Sequence, residues 1–493
     1  MKDDVAIASI SQWKWWKHPY YTESGWEPSL TPYYQATLIF VILIYVFETY
    51  LNYRQYRKLE EKTFPKELKS IILEIDDKSH KITTDIKKDG KQITEGTAPA
   101  EESTSKTLLE TTLDKFDKSR AYGLVKCKFA LVSELYHLIE GILFMMGGYV
   151  VALWTLSGYL LSVAGWNPEN EITRAVIMLF LSTLRDTIAE LPFEWYSTFV
   201  IEQTHGFNKQ TIGIFLMDKL KQLLLMIAIG YPLTAILIFV VRWGGEYFYL
   251  YTWLFLFVFS LIMLTIIPIW IMPLFNKFTP LEEGKLRSDI EALAASLSFP
   301  LTKLFVCDGS KRSSHSNAYL YGLYKNKRIV LFDTLLEQAS NEEIVAILGH
   351  ELGHWKLWHT GQSLIFQQVY TFACLYLFGL CMNDADLFAS FGFAVKSKPV
   401  MIGFLLFTQT LWAPVNHLLS FMLTLNTRKN EFQADAFATD LGHAKALQTG
   451  LTKISIENLS NMNPDKWYSA YHYDHPPLLE RLSAIKQRER KQQ

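Results

Sequence analysis

The chain has 493 residues, of which 49 % are hydrophobic and 14 % aromatic, and its formal net charge is −1. This near-neutral charge argues against a general nucleic-acid binder, which needs a basic surface. The four cysteines include no CxxC pair, so the sequence indicates neither a disulfide framework nor a cysteine zinc site.

Long apolar segments predict an α-helical integral membrane protein. The first segment reads YQATLIFVILIYVFETYLNYR and ends at Arg54, and no secretory signal precedes it. A bilayer crossing needs roughly 20 apolar residues. The segments that meet this requirement are 34–53, 141–163, 175–198, 212–241, 248–275, 360–382 and 399–425, which predicts seven spans.

The third segment is unusual because it carries Arg185, Asp186 and Glu190. A charge at membrane depth is costly and usually faces protein or a water-filled cavity. Either this segment is a soluble or interfacial helix, or the spans enclose a wet interior. Further charged residues near the second and fourth segments fit a wet interior: Glu134, His137, Glu140, Asp218, Lys219 and Lys221.

The polar segments between the spans differ in character. Segment 54–130 is charged, and a tract near 75–112 with few apolar residues predicts a disordered insert. Segment 276–359 contains the strand-like runs LTKLFVCDG and KRIVLFDTLL, and 426–493 is polar and helix-like.

Seven spans would place these three polar segments on one side of the membrane. They hold most of the Lys and Arg residues, and the positive-inside rule assigns that side to the cytosol. The sequon at Asn458 would then lie in the cytosol and stay unmodified.

The stretch ILGHELGHW predicts a metal site on a helix. His350 and His354 are four residues apart, so both imidazoles can reach one metal from the same helical face. Glu351 can reach a metal-activated water without being a ligand. The motif alone also arises by chance, and a pair of structural histidines is the alternative interpretation.

The helix that carries this motif has a predicted N-cap residue and two glycines in its interior. Asn341 is the predicted N-cap. Gly349 and Gly353 each cost the helix about 1 kcal/mol, so they predict the close approach of another backbone or of a substrate.

A second helical segment, NEFQADAFATDLG, supplies two carboxylates four residues apart. Glu431 is the predicted third ligand, since a catalytic zinc takes three protein ligands and keeps one open position. Asp435 can accept the far N–H of a ligating histidine and fix its ring. The alternative is a solvated acidic face, which the surrounding Phe and Ala residues disfavour.

The C-terminal stretch YDHPPLLERL adds His475 and Arg481. Either side chain could donate to the oxyanion formed during peptide hydrolysis. The alternative is that both are surface residues of a terminal helix.

Taken together, these motifs resemble the type 1 CAAX prenyl proteases, which are integral-membrane zinc metalloproteases. The resemblance runs from about Lys115 to Arg481. It rests on FDKSRAYGL, FVIEQTHGFNKQT, PLFNKFTPL, HSNAYLYG, HELGH, EFQADAFA and HPPLLERL. The sequence departs from the family pattern in the insert near 75–112 and at Val125 and Cys127.

The resemblance implies seven transmembrane helices that form a barrel around a water-filled chamber in the endoplasmic reticulum membrane. A zinc metalloprotease domain with one Zn²⁺ per chain would face the cytosol, as would the C-terminus. Asn317, Ala318 and Tyr319 would form an edge strand that pairs with the substrate backbone. The implied order is an N-terminal segment with the first span (1–53), a charged loop (54–130), spans two to five (131–275), a protease segment (276–359), spans six and seven (360–425) and a C-terminal protease segment (426–493).

We therefore expect zinc-dependent peptide hydrolysis with Glu351 as the general base and with His475 and Arg481 at the oxyanion. The metal ligands would be His350, His354 and Glu431. By resemblance, the reaction removes the C-terminal tripeptide from prenylated CaaX proteins at the bilayer. One alternative is a broader quality-control protease of membrane proteins. Another is a transporter or scaffold with a relic zinc site, for which Glu351 would have no use.

Overall fold

The computed structural model describes residues 21–22, 25–26, 32–76, 106–322, 324–393 and 398–492. The first half of the chain contains two short paired strands and nine helices in these ranges. They are β1 (Tyr21–Thr22), β2 (Gly25–Trp26), α1 (Tyr33–Glu60), α2 (66–76), α3 (Leu108–Met146), α4 (Tyr149–Val163), α5 (Glu171–Tyr196), α6 (Ile212–Leu225), α7 (Tyr231–Trp243), α8 (Phe248–Ile266) and α9 (Met272–Phe275). π-Helical turns extend α5 and join α6 to α7 and α8 to α9.

The second half combines a small sheet with helices. Its elements are β3 (Phe278–Pro280), α10 (Lys285–Ser296), β4 (Leu301–Cys307), β5 (Ala318–Tyr321), β6 (Lys327–Phe332), α11 (Asp333–Gln338), α12 (Asn341–Lys356), α13 (His359–Cys381), α14 (Ala385–Ser390), α15 (Val400–Gln409), α16 (Trp412–Ala438), α17 (Ala444–Glu457), α18 (Lys466–His472) and α19 (Leu478–Gln492).

The protein is a multi-pass membrane protein. Five helical segments in the described ranges are long and apolar enough to cross a bilayer: Tyr33–Glu60, Leu108–Met146, Ile212–Trp243, Gly245–Phe275 and His359–Cys381. Helices α4 and α15 are apolar but shorter, so the predicted number of seven spans is not confirmed.

Two predicted spans have the wrong bounds because the backbone breaks inside them. The segment 141–163 is divided between α3 and α4 at Gly148, whose φ of 61° lies in the left-handed region that favours glycine. The segment 399–425 is divided between α15 and α16 near Thr410. The third predicted span is a helix, α5, which packs against α4 and α7.

The candidate spans and the helices between them form a circuit of contacts, which is compatible with the predicted barrel. Successive neighbours are α1, α3, α4, α5, α7, α8, α13, α15 and α16. Contact between Phe40 of α1 and His417 of α16, with ring centroids 5.5 Å apart, closes the circuit. Charged residues of α3, α5 and α6 pair with one another: His137 with Glu190, Glu140 with Arg185, and Glu194 with Lys219. This pairing favours the wet interior over the interpretation of α5 as a separate soluble helix.

The protease half is built on a four-stranded sheet with the order β3-β4-β6-β5. Strands β4 and β6 are parallel, and the other two pairings are antiparallel. The strand-like runs of the sequence are thus confirmed as β4 and β6, and β5 is an edge strand. Apolar side chains of the sheet and of α10 and α12 form one buried core, which holds α12 firmly against the sheet.

The insert predicted near 75–112 is helical at both described ends. Ile75 and Asp76 belong to α2, and α3 begins at Leu108; residues 77–105 lie outside the described ranges. The Asp76 carboxylate accepts hydrogen bonds from the backbone N–H groups of Leu108 (3.2 Å) and Leu109 (3.0 Å). The two ends of the insert are therefore next to each other.

Candidate metal centre

Helix α12 begins one residue earlier than the sequence indicated. Ser340, rather than Asn341, is the N-cap, and it forms a capping box with Glu343. Asn341 is the first helical residue. The capping box fixes the start of the helix, and the buried apolar face fixes its rotation, so the two histidines point away from the sheet core.

A close contact between α12 and α16 brings the two halves of the site together. A Cβ atom added at Gly353 would lie 3.1 Å from the Phe437 ring and 3.3 Å from the Cα of Ala434. The predicted close approach of another backbone is thus confirmed at Gly353. At Gly349 the nearest atom, on Ala438, would be at an ordinary 3.7 Å.

The three predicted ligands converge. The ligand atoms of His350, His354 and Glu431 all lie within 4.8 Å of one another. His350 Nε2 is 3.5 Å from Glu431 Oε2, and His354 Nε2 is 3.2 Å from Glu431 Oε1. His350 and Glu431 are only 5 % and 3 % exposed. Each imidazole therefore directs its Nε2 atom toward the same buried carboxylate.

Asp435 lies next to His350, where the sequence analysis expects a partner for a ligating histidine. His350 Nδ1 is 2.9 Å from Asp435 Oδ1, and Arg481 donates to both oxygens of Asp435 at 2.8 and 2.7 Å. Burial acts to raise the pKa of Asp435, but the charge and hydrogen bonds of Arg481 and the bond from His350 hold this pKa well below its usual range. An ionised Asp435 keeps the proton of His350 on Nδ1, so Nε2 retains its lone pair.

The Arg481 side chain is more buried than a residue that donates to the oxyanion of a bound substrate would be. Two of its nitrogens bind Asp435, and Nη1 is 3.5 Å from Glu431 Oε2. The side chain is 11 % exposed, compared with 60 % for His475. This arrangement supports a positioning role for Arg481 in place of the predicted direct contact with substrate.

His354 has a partner that sequence reasoning missed. His354 Nδ1 is 3.0 Å from His359 Nδ1, and His359 Nε2 is 3.0 Å from Gln433 Oε1. Because the amide oxygen can only accept, His359 carries its proton on Nε2 and its Nδ1 accepts from His354. The Nε2 atom of His354 is therefore also unprotonated. The available signal was a third histidine five residues after His354.

The pKa values of Glu351 and Glu431 are shifted in opposite directions. Burial is the largest cause that raises the pKa of Glu351, with Glu431 acting in the same direction. Burial also acts to raise the pKa of Glu431, but the hydrogen bond that a protonated His354 donates and the charges of a protonated His350 and of Arg481 lower it to about 2. Glu431 is thus a carboxylate at neutral pH, whereas Glu351 has a stronger affinity for a proton.

His475 is the accessible member of the cluster. Its Nε2 is 3.6 Å from Glu431 Oε1, and its Nδ1 is 2.9 Å from Asp474 Oδ1. Asn317 is also exposed and immediately precedes β5, where its carbonyl accepts from the Phe332 N–H at 3.0 Å. Ala318 is buried and Tyr319 half-buried on the edge strand.

The donor set fits a metal ion. Glu431 Oε2 is buried and makes no hydrogen bond within the described part of the chain. When the two histidines are neutral, with their ring protons on Nδ1, both neighbouring Nε2 atoms present lone pairs and neither donates to this carboxylate. A cation between the three donors satisfies all of them, and two histidines with one carboxylate form a usual catalytic metal set.

A ring of membrane helices that carries such a centre next to a proton-accepting glutamate defines a multi-pass membrane metalloprotease. Two family models match the chain in succession: "CAAX prenyl protease N-terminal, five membrane helices" over residues 55–277, and "Peptidase family M48" over residues 280–489.

Full-length relatives agree with these models. The chain is 48 % identical to the CAAX prenyl protease 1 homolog of Oryza sativa over 94 % of this chain and 99 % of the relative. It is 41 % identical to the Homo sapiens homolog, over 94 % and 97 %. The crystal structure of S. mikatae Ste24p superposes with a TM-score of 0.78 at 36 % identity, covering 93 % of this chain and 100 % of that one. The chain belongs to the CAAX prenyl protease 1 family of M48 metalloproteases.

Proposed function

We propose that this protein is a zinc-dependent endopeptidase that removes the C-terminal tripeptide from prenylated CaaX proteins at the endoplasmic reticulum membrane. The observation that carries the proposal is the convergence of His350, His354 and Glu431 around a buried carboxylate oxygen without a hydrogen-bond donor. The near full-length similarity to CAAX prenyl proteases supports the substrate class.

Zinc is the metal that this donor set suits best, since catalytic zinc is often held by two histidines and one glutamate. When bound, zinc supplies a Lewis acid that polarises the scissile carbonyl and makes water more acidic. His350, His354 and Glu431 would hold it. Asp435 and His359 keep the two imidazole rings oriented by their Nδ1 hydrogen bonds.

The protein's own groups move the protons. Glu351 takes a proton from the attacking water and returns it to the leaving amine, and its raised pKa makes it a stronger base than an exposed glutamate. His475, which is exposed, donates to the developing oxyanion. Arg481 acts through Asp435 as a positioning residue. Asn317, Ala318 and Tyr319 pair with the substrate backbone by strand addition at the edge of the sheet.

The position of the site suits a lipid-modified substrate. Helix α12 ends at Lys356 and the membrane-spanning α13 begins at His359, so the centre lies close to the bilayer surface. A prenyl group buried in lipid holds its protein at that surface. The distribution of Lys and Arg supports a cytosolic location for this surface.

The test compares two versions of one CaaX peptide, farnesylated and free-thiol, with detergent-purified protein. We expect prenylation to raise kcat/KM at least about tenfold, which corresponds to about 1.4 kcal/mol of transition-state binding. A chelator should abolish cleavage, and added zinc should restore it. Equal kcat/KM values for the two peptides would contradict lipid recognition and favour a broader quality-control protease. No cleavage of either peptide would contradict the proposal itself.

A further inference from the structure

A basic pocket outside the metal centre lies where a membrane helix meets the sheet. Its volume is about 500 Å³, which is within the range of small-ligand sites. Part of its wall comes from the last turns of the candidate span Gly245–Phe275, with Ile269 and Leu274. Another part comes from the sheet, with Phe305 of β4 and Tyr321 of β5. The pocket therefore joins a membrane span to the protease half of the chain.

The face of the sheet that is turned away from α12 contributes to this pocket. Ile329 and Leu331 of β6 belong to the buried core that includes α12, so Arg328 points to the opposite face. On β5, Leu320 packs against the same core, and Tyr321 therefore also points to the opposite face. The guanidinium carbon of Arg328 is 5.7 Å from the centroid of the Tyr321 ring. Tyrosine and basic side chains of this kind are typical of the boundary between water and lipid.

The charged residues that line the pocket are all positive. They are Lys221, Lys277, Lys311 and Arg328, and the described lining includes no carboxylate. Lys221 Nζ is 3.4 Å from Asp218 Oδ1 and donates to the Leu274 carbonyl at 2.8 Å. Asp218 also binds Arg312 through both of its oxygens, at 2.8 and 3.0 Å. One carboxylate thus balances only one of these two cations.

The other three cations of the pocket form no ion pair among the residues that the structure describes. Asp308 holds the backbones of two of them together, because its Oδ1 accepts from Lys277 N at 2.7 Å and its carbonyl accepts from Lys311 N at 3.2 Å. The same Oδ1 accepts from Asn276 Nδ2 at 3.2 Å. The ammonium groups of Lys277 and Lys311 remain exposed. The five cations in and beside the pocket therefore outnumber the two carboxylates, which favours an anionic ligand.

The helix that borders the pocket presents apolar side chains beside these charges. Leu274, which lines the pocket, is 50 % exposed, and the nearby Trp270 is 72 % exposed. Both belong to the last turns of a candidate membrane span. Exposed apolar residues of such a span can contact acyl chains, and tryptophan near the end of a span is typical of the headgroup region. A ligand that satisfies both the cations and the apolar wall is an anionic amphiphile.

We propose that this pocket binds an anionic phospholipid, with Lys277 and Lys311 at the headgroup and Ile269 and Leu274 beside the acyl chains. Anionic lipids are enriched in the cytoplasmic leaflet, and basic pockets at membrane helices on that side are typical sites for their headgroups. Only the assignment of the pocket to that leaflet rests on the proposed function. A lipid in this position contacts Tyr321 and so connects the bilayer to the edge strand β5.

The experiment titrates the detergent-purified full-length protein with fluorescent phosphatidylserine and, in parallel, with fluorescent phosphatidylcholine. The wild-type protein should bind phosphatidylserine at least about tenfold more tightly, because only this lipid carries a net negative charge. The double variant Lys277→Gln/Lys311→Gln should lose most of this preference by weakening the binding of phosphatidylserine alone. Both lysines are exposed, so the unfolding temperature should stay close to that of the wild type.

The matched control is Lys69→Gln/Lys285→Gln, which removes the same charge from exposed positions on α2 and α10 that do not line the pocket. It should keep the preference for phosphatidylserine. Equal wild-type affinity for the two lipids, or equal loss of affinity in both double variants, would overturn the site. Displacement of bound phosphatidylserine by inorganic phosphate at millimolar concentration would show a site for free phosphate and would overturn the lipid assignment. These outcomes are measured without peptide cleavage, so each leaves the proposed function intact.

Discussion

Replacing Asp435 by Asn should weaken the metal centre and the fold together. Asp435 is 1 % exposed and accepts three hydrogen bonds, one from His350 and two from Arg481. The amide is nearly the same size, so the substitution removes charge and one acceptor rather than volume. Outer-shell partners of this kind typically contribute 10- to 100-fold to metal affinity, about 1.4 to 2.7 kcal/mol.

The same change leaves the Arg481 guanidinium buried without its main partner. Its next carboxylate is Glu431, 3.5 Å from Nη1, so Arg481 would compete with the metal for this ligand. Breaking a buried pair in this way costs about 3–5 kcal/mol of stability. Combining Asp435→Asn with Arg481→Met removes both charges and should recover part of the stability, with a coupling of about 1–3 kcal/mol.

The assay measures zinc affinity by chelator competition and thermal unfolding of the metal-free protein in detergent. The matched control is Asp440→Asn, because Asp440 binds Arg488 with the same two-bond geometry, at 2.8 and 2.6 Å, on the exposed surface. The control should cost under about 1 kcal/mol and leave zinc affinity unchanged. Zinc affinity within threefold of wild type, or equal destabilisation by both variants, would refute the reasoning.

Three further predictions test the base, the insert and the topology. Glu351→Gln should abolish turnover while elemental analysis still finds one metal per chain, and loss of the metal would show that Glu351 is a ligand. Deleting 80–104 should leave expression and turnover nearly unchanged, because Asp76 and Leu108 already meet at 3.2 Å; a collapse of either would show that the insert is structural. Asn458 should stay unglycosylated, since its side chain accepts from the Ser316 N–H at 3.3 Å on the same face as the site, whereas sequons engineered into 383–398 should be modified. A glycosidase-sensitive shift that maps to Asn458 would invert the topology.

The proposed metal ligands could be found in the sequence because helical spacing carries the information. His350 and His354, and likewise Glu431 and Asp435, are four residues apart, so each pair shares a helical face before any tertiary structure is known. The contact between the two helical faces depends on tertiary structure. The sequence indicated this contact only through Gly353. The role of Arg481 was less predictable, because its partner Asp435 is 46 residues away along the chain.

Other features depend on backbone geometry that apolar composition does not encode. The break at Gly148 divides a segment that the sequence predicts as one continuous span. The prediction missed the break because apolar composition carries no information on the backbone angle φ. The hydrogen bond between His354 and His359 depends on the turn at Trp358, whose φ of 60° is rare for a non-glycine residue. Ser340 and Asn341 are equally good caps by type, so only the capping box with Glu343 separates them.

The catalytic centre and the membrane ring share helices, which explains why this protease is not a soluble domain with an anchor. Helix α16 contacts α1 near its start, through His417, and carries Glu431 and Asp435 near its end. Helix α13 begins at His359, which orients His354, and continues as a membrane span. Two of the three proposed ligands precede α13 in the chain. The third, Glu431, follows α13, α14, α15 and the first part of α16. The assembly of the membrane helices is therefore what brings the third ligand to the other two, and a change that loosens the ring should lower metal affinity without touching the site.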